Sequence, residues 1–181
     1  MAPLGAFTFV LHSHLPYARQ AGRWPHGEEW LHEAAAETYL PLLRALEDLS
    51  AAGSPIRVTL SLTPILLEQL ADADVQRNFL AYLDEKIGAA SADVSRFEKA
   101  GDPHFGGLAS FYLGRYREAR RDFVDRYGGN LVPAFRRLQD RGVIEVITCA
   151  ATHGYLPLLD RDESINLQLR AAVASYQRHL G

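Results

Sequence analysis

Hydrophobic positions along this chain alternate between stretches of strand type and stretches of helical period. The run Phe7-Thr8-Phe9-Val10-Leu11 is short and apolar and ends in His12-Ser13-His14-Leu15-Pro16-Tyr17, which predicts a buried strand delivering imidazoles at its C-terminal end. A loop over roughly residues 15–27 follows. From Glu28 to Ala52, Leu31, Ala35, Tyr39, Leu42, Leu43, Leu46 and Leu49 recur at helical spacing, with acids in the first turn where the helix dipole favours them. Gly53-Ser54-Pro55 breaks that helix, and Ile56 to Leu62 reads as a second strand. Pro64 suits the first turn of a helix running to Ala71. The segments from Asp74 to about Lys99 and from Phe111 to about Tyr127 are helical and charge-rich, a helical excursion between strands with a solvated face. A helix near Leu131 to Arg141 stops at Gly142, Val143 to Thr148 forms a third strand, and a last helix runs from about Asp162 to His179. The chain contains no internal repeat or low-complexity tract.

Strands alternating with helices predict an α/β fold with a parallel sheet. A closed (β/α) barrel takes about eight strands and about 250 residues, and parallel sheets are normally covered on both faces. Three strands would leave open edges. The expectation is therefore that residues 1–181 are the N-terminal portion of a longer (β/α)-barrel catalytic domain, carrying a helical insertion at about 74–127, with the remainder of the domain absent. Open sheet edges also predict self-association.

Composition narrows the function classes. With 181 residues, 48% of them hydrophobic, the chain can bury a sizeable core. A formal net charge of −3 gives no electrostatic reason to expect nucleic acid or an anionic membrane surface as partner. Cys149 is the sole cysteine, so no intrachain disulfide forms; this favours a reducing, cytoplasmic setting, and Cys149 is expected to be a buried filler rather than a nucleophile. Neither a signal-like N-terminus nor a run of 18 apolar residues is present.

The candidate chemistry lies at strand ends. His12 and His14 are two apart and so point the same way on a strand. Paired imidazoles suit a divalent metal, which needs three or four protein groups, and equally suit a polar pocket that exchanges hydrogen bonds with hydroxyls; a purely structural role is the third reading. The third strand runs into Ala150-Ala151-Thr152-His153-Gly154-Tyr155-Leu156-Pro157, so in a parallel sheet His153 can converge with His12. Trp24 and Trp30, the protein's two tryptophans, sit in a loop and a helix start. Flat aromatic faces stack on the C–H faces of sugar rings, and with converging histidines they suggest a carbohydrate cleft.

The segments His12-Ser13-His14-Leu15-Pro16-Tyr17, Trp24 to Ala34, Glu37 to Leu43 and Ala151 to Leu158 closely resemble, in the same order, the N-terminal region of glycoside hydrolase family 57, in particular its 1,4-α-glucan branching enzymes. The resemblance runs almost end to end. It implies an incomplete barrel of seven strands with helical insertions, no metal or other cofactor, an α-glucan substrate, and retaining transfer of an α-1,4 segment to a 6-hydroxyl in glycogen metabolism. It further implies that His12 and His153 contact the donor sugar and that Trp24 and Trp30 line the glucan cleft, with His14 contacting sugar or shaping the loop.

A retaining enzyme of this kind needs two carboxyl groups about 5–5.5 Å apart. In the family the nucleophilic glutamate follows a Trp-Leu-Pro motif and the acid/base aspartate lies further on; neither motif occurs here. Glu28 and Glu29 read as first-turn helix acids, and Asp160 and Asp162 as loop and cap residues. Glu68, one turn into the helix after the second strand, is the remaining candidate to border the cleft. This chain alone is therefore expected to lack transferase activity. Alternatives are a 4-α-glucanotransferase or α-amylase of the same family, a non-catalytic glucan-binding module, or a metal-dependent deacetylase or amidohydrolase, which would also place His-x-His after its first strand.

Overall fold

The computed structural model describes residue 5 and residues 7–181. Its sheet has three parallel strands, β1 (Val10–Ser13), β2 (Val58–Leu62) and β3 (Ile144–Ile147), in the order β1-β2-β3. The register aligns residues in rows across the sheet. One row is Leu11, Leu60 and Val146, and the next is His12, Ser61 and Ile147. Because side chains alternate between faces along a strand, the rows alternate too. Leu60, Leu62, Ile144 and Val146 face the helices and are buried, whereas Val10, His12, Glu145 and Ile147 line an uncovered face.

The helices are α1 (Glu28–Ala34), α2 (Leu40–Ala51), α3 (Pro64–Ala71), α4 (Ala73–Ala100), α5 (Pro103–Arg121), α6 (Val132–Asp140) and α7 (Asp162–Leu180). The helix expected over residues 28–52 forms as α1 and α2, joined without a break by a π-helical turn at Ala35–Tyr39 just before Pro41. Proline cannot donate a helical hydrogen bond, and the wider turn absorbs that defect. Phe135, Leu138, Leu66, Leu67, Leu43 and Leu31 are almost fully buried and join α1, α2, α3, α6 and the covered sheet face into one core. α4 and α5 form a long antiparallel pair that leaves the sheet and returns through a second π-helical turn at Asp122–Arg126.

Two expectations change. The first strand is not buried: Val10 is 62% exposed, because no helix covers its face, and Phe9, just before the strand, is 55% exposed. The second helix of the excursion starts at Pro103, eight residues before the expected Phe111. Asp102 caps it by accepting from the Phe105 amide, and Pro103 sits in its first turn, so the cap overrides the breaking tendency of Gly106 and Gly107. Glu28 and Glu29 do stand in the first turn of α1, as expected, and are in addition buried ion-pair and hydrogen-bond partners. No helix among the described residues is long and apolar enough to cross a membrane.

Candidate functional site

Three imidazoles meet at the C-terminal ends of β1 and β3. His12 lies within β1, His14 directly after it, and His153 in the turn that follows β3. Ring centroids are 5.0 Å apart for His12 and His153, 4.2 Å for His14 and His153, and 6.4 Å for His12 and His14. His153 reaches this position through a left-handed backbone conformation, φ 58°, in a turn closed by its amide donating to the Ala150 carbonyl at 2.9 Å. A β-carbon disfavours that conformation by roughly 1–2 kcal/mol, and such strain tends to be kept where function needs the side chain.

Each imidazole has a partner on its Nδ1 side. His12 Nδ1 lies 3.1 Å from Ser61 Oγ, His14 Nδ1 3.2 Å from Thr63 Oγ1, and His153 Nδ1 3.2 Å from Cys149 Sγ. Cys149 is thus half-buried against a site histidine, not the buried filler expected, and burial pushes its thiol pKa up. Burial, followed by the proximity of His153 and His12, holds His14 below the ordinary histidine value. The rings are stacked or tilted, with interplanar angles of 30–43°, so they meet by faces and not by lone pairs converging on a point. Among the described residues no three His, Cys, Asp or Glu side chains are grouped to hold a metal ion. The arrangement suits hydrogen bonding to hydroxyl groups.

The loop between β1 and α1 is clamped down. Gln69, buried on α3, accepts from the Ala18 amide at 2.7 Å and donates to the Pro16 carbonyl at 3.1 Å. Arg19 pairs with Asp72 and Asp74 at the start of α4. Glu28 accepts from the Gln20 amide and from Asn78, while Glu29 pairs with Lys86 at 2.8 Å and with Arg23, which also forks onto Glu85. Lys86 and Arg23 together hold the Glu29 carboxyl below its ordinary value against the opposing effect of burial. On this anchored loop Trp24 is 78% exposed, and Trp30, in the first turn of α1, is 41% exposed with its ring edge-on to His26. Sequence patterns could not reveal Ser61, Thr63 and Cys149 as histidine partners, because only strand register and the turn after β3 bring them there.

The structure brings His12, His14 and His153 together and leaves Trp24 and Trp30 presented to solvent. Glu68 has other partners, all on α7: Ser175 Oγ donates to it at 2.7 Å, and Arg178 and His179 pair with it, each at 3.2 Å.

Residues 8–181 match the Glycosyl hydrolase family 57 model. A 1,4-alpha-glucan branching enzyme from Thermococcus kodakarensis is 43% identical over 177 residues, covering 98% of this chain and 25% of that protein. The crystal structure of a branching enzyme of this family from Pyrococcus horikoshii superposes with a TM-score of 0.89 at 45% identity, over 96% of this chain and 32% of the other. The alpha-amylase AmyC from Thermotoga maritima gives 0.85 at 33% identity, over 96% and 33%. The chain spans a quarter to a third of the length of these relatives. With the match running through both histidine segments and the helical excursion, this chain belongs to glycosyl hydrolase family 57, and its three parallel strands are part of that family's (β/α)7-barrel fold.

Proposed function

We propose that this chain forms the sugar-binding, N-terminal part of a retaining 1,4-α-glucan branching enzyme, which moves an α-1,4-linked segment to a 6-hydroxyl in glycogen-type metabolism. The observation that carries this reading is the convergence of His12, His14 and His153 at the C-terminal strand ends, in a chain whose likeness to branching enzymes includes both histidine segments. Imidazoles exchange hydrogen bonds with sugar hydroxyls in either direction. The exposed indoles of Trp24 and Trp30 offer faces for the apolar side of glucose rings. We leave Glu68 out of this reading, because its carboxylate is engaged by Ser175 and His179 of α7.

Retaining transfer also needs a nucleophile and an acid/base carboxyl group about 5–5.5 Å apart. We assign both to segments outside residues 1–181. The rest of the catalytic domain is the expected partner, covering the open sheet face and the exposed Leu158, Leu167, Leu169 and Val173. Without that cover the open edges favour self-association. A cytoplasmic setting belongs to the same proposal and is supported by the lone, free Cys149.

The likeness to AmyC supports a second reading, hydrolysis with water in place of the sugar acceptor; higher identity to the branching enzymes favours transfer. Affinity electrophoresis in amylose tests the binding role. The purified chain should be retarded, and His12→Ala or His153→Ala should weaken retention about tenfold, the loss expected for roughly 1.4 kcal/mol of hydrogen bonding. The chain should form no α-1,6 branches. Branch formation by the 181-residue chain, or unchanged retention of both variants, would overturn the assignment.

A further inference from the structure

We propose that Ser61, Thr63 and Cys149 are positioning residues that set the tautomer of the histidine trio: each donates its proton to an Nδ1, so that all three imidazoles carry their own proton on Nε2 and present Nε2–H to the ligand. Identifying that ligand as a glucan rests on the function proposed above. The tautomer assignment does not.

Three pairs, built by two different structural devices, carry the inference. His12 and Ser61 are register partners on adjacent strands, so their side chains share a face, and Ser61 Oγ stands 3.1 Å from Nδ1. The Thr63 amide donates to the Ser13 carbonyl and continues the β1–β2 ladder one step further, bringing Thr63 Oγ1 to 3.2 Å from His14 Nδ1. Cys149 and His153 meet within one turn, at 3.2 Å, across the strained backbone of His153. A different structural device supplies the third pair, yet the same ring nitrogen is engaged in all three.

Hydrogen-bond accounting then fixes the direction. Ser61 and Thr63 are buried, with Thr63 fully so, and among the described residues neither hydroxyl has a second acceptor for its proton. Were an imidazole to donate from Nδ1 instead, the hydroxyl proton would be buried without a partner, at a cost that native structures avoid. The thiol has two acceptors within reach, the Ala150 carbonyl at 3.3 Å and His153 Nδ1. Sulfur accepts hydrogen bonds poorly and a neutral imidazole nitrogen accepts them well, so the arrangement in which sulfur donates to Nδ1 is favoured. Burial keeps that thiol protonated, and so able to donate.

None of the three Nε2 atoms has a protein partner among the described residues, and His12 and His153 are exposed. The consequence is a cluster of three neighbouring donors. A ligand rich in acceptor oxygens, as a polyhydroxylated sugar is, finds three preorganised N–H groups that need no tautomer change on binding. Preorganised donors lose less on association than groups that must first reorient.

Histidine-selective 15N labelling with two- and three-bond 1H–15N correlation, at a pH of about 8 where imidazoles are neutral, reads the tautomers directly. The wild-type chain should show His12, His14 and His153 in the Nε2–H form. Ser61→Ala should shift the His12 pattern towards a mixture, and Ser61→Thr should restore it; Cys149→Ala and Cys149→Ser should do the same at His153. Each alanine variant should weaken maltooligosaccharide binding about threefold to tenfold, with recovery in the conservative variant. A dominant Nδ1–H form at any of the three histidines, or unchanged spectra in both alanine variants, would overturn the proposal. The wild-type spectrum decides even if a variant does not fold. Correct tautomers without maltooligosaccharide binding by the wild-type chain would leave this proposal standing and refute the glucan assignment.

Discussion

His32 is the residue at which buried polarity is least compensated. It lies on α1, 5% exposed, with no hydrogen-bond partner for Nε2 among the described residues and with Glu28 Oε2 3.9 Å away. Burial lowers its pKa from 6.5, and the opposing pull of Glu28 and Glu29 does not cancel this. The folded chain therefore holds that proton less tightly than the unfolded chain does. Its contribution to stability is complete above the ordinary histidine value and is lost as pH falls below it, because the unfolded chain then binds more protons. His14 acts in the same sense. Carboxylates with lowered pKa, such as Glu29 and Glu68, lose their contribution in a separate window, below about 4.5. The melting temperature should fall between about pH 7.5 and pH 5.5, and His32→Gln should flatten that slope; an unchanged slope in thermal melts would count against His32 as its source. Pattern reading located His12, His14 and His153 at strand ends because position on a strand is a local property. It could not anticipate the buried polarity of His32, which arises from the packing of α1 against α4.

At the scale of elements, the loop between β1 and α1 and the start of α4 are one mechanical unit. Asp72 accepts from the amides of Asp74 and Val75, so capping α4, and pairs with Arg19 of the loop at 2.8 Å. Burial opposes ionisation of Asp72, but Arg19 and the two amides prevail and hold its pKa down. Asp72→Ala should cost about 1–2 kcal/mol in urea unfolding, the usual range for a lost side-chain cap, and should make the loop more susceptible to proteolysis. Gly27 closes the same loop against Gly22. A β-carbon at Gly27 would lie 2.0 Å from the Gly22 carbonyl oxygen, a backbone atom that cannot turn aside. Gly27→Ala should therefore destabilise the chain by about 1–3 kcal/mol, whereas Gly88→Ala, in open space on α4, should not destabilise it; equal stability of the two variants would refute the close approach. Element identities were legible from periodicity, since amphipathic helices and short apolar strands are short-range patterns. The π-helical turns and the early start of α5 were not: the first turn sits just before Pro41 inside a continuous helix, and α5 begins where the Asp102 cap and Pro103 override Gly106 and Gly107.

For the molecule as a whole, the uncovered sheet face and its edges dominate. Val10 and Ile147 are exposed on that face, and β1 and β3 each have a free edge among the described residues. Association should rise with concentration in light scattering, and Val10→Lys, which places a charge on the edge strand, should shift the chain towards monomer; a strictly monomeric wild-type chain at high concentration would contradict this. The amino-acid sequence alone determined the order of strands and helices, the placing of histidines at strand ends, the tryptophan-bearing loop and, through four motif segments, the family. Those properties reside in spacing and local chemistry. Only the tertiary structure decided that Ser61, Thr63 and Cys149 pair with the imidazoles, that Glu28 and Glu29 bolt the loop to α4, and that Glu68 is turned to α7. Each of these depends on which row of the sheet faces which way and on which helices pack together, and contacts between residues far apart in the chain leave no periodic mark in it.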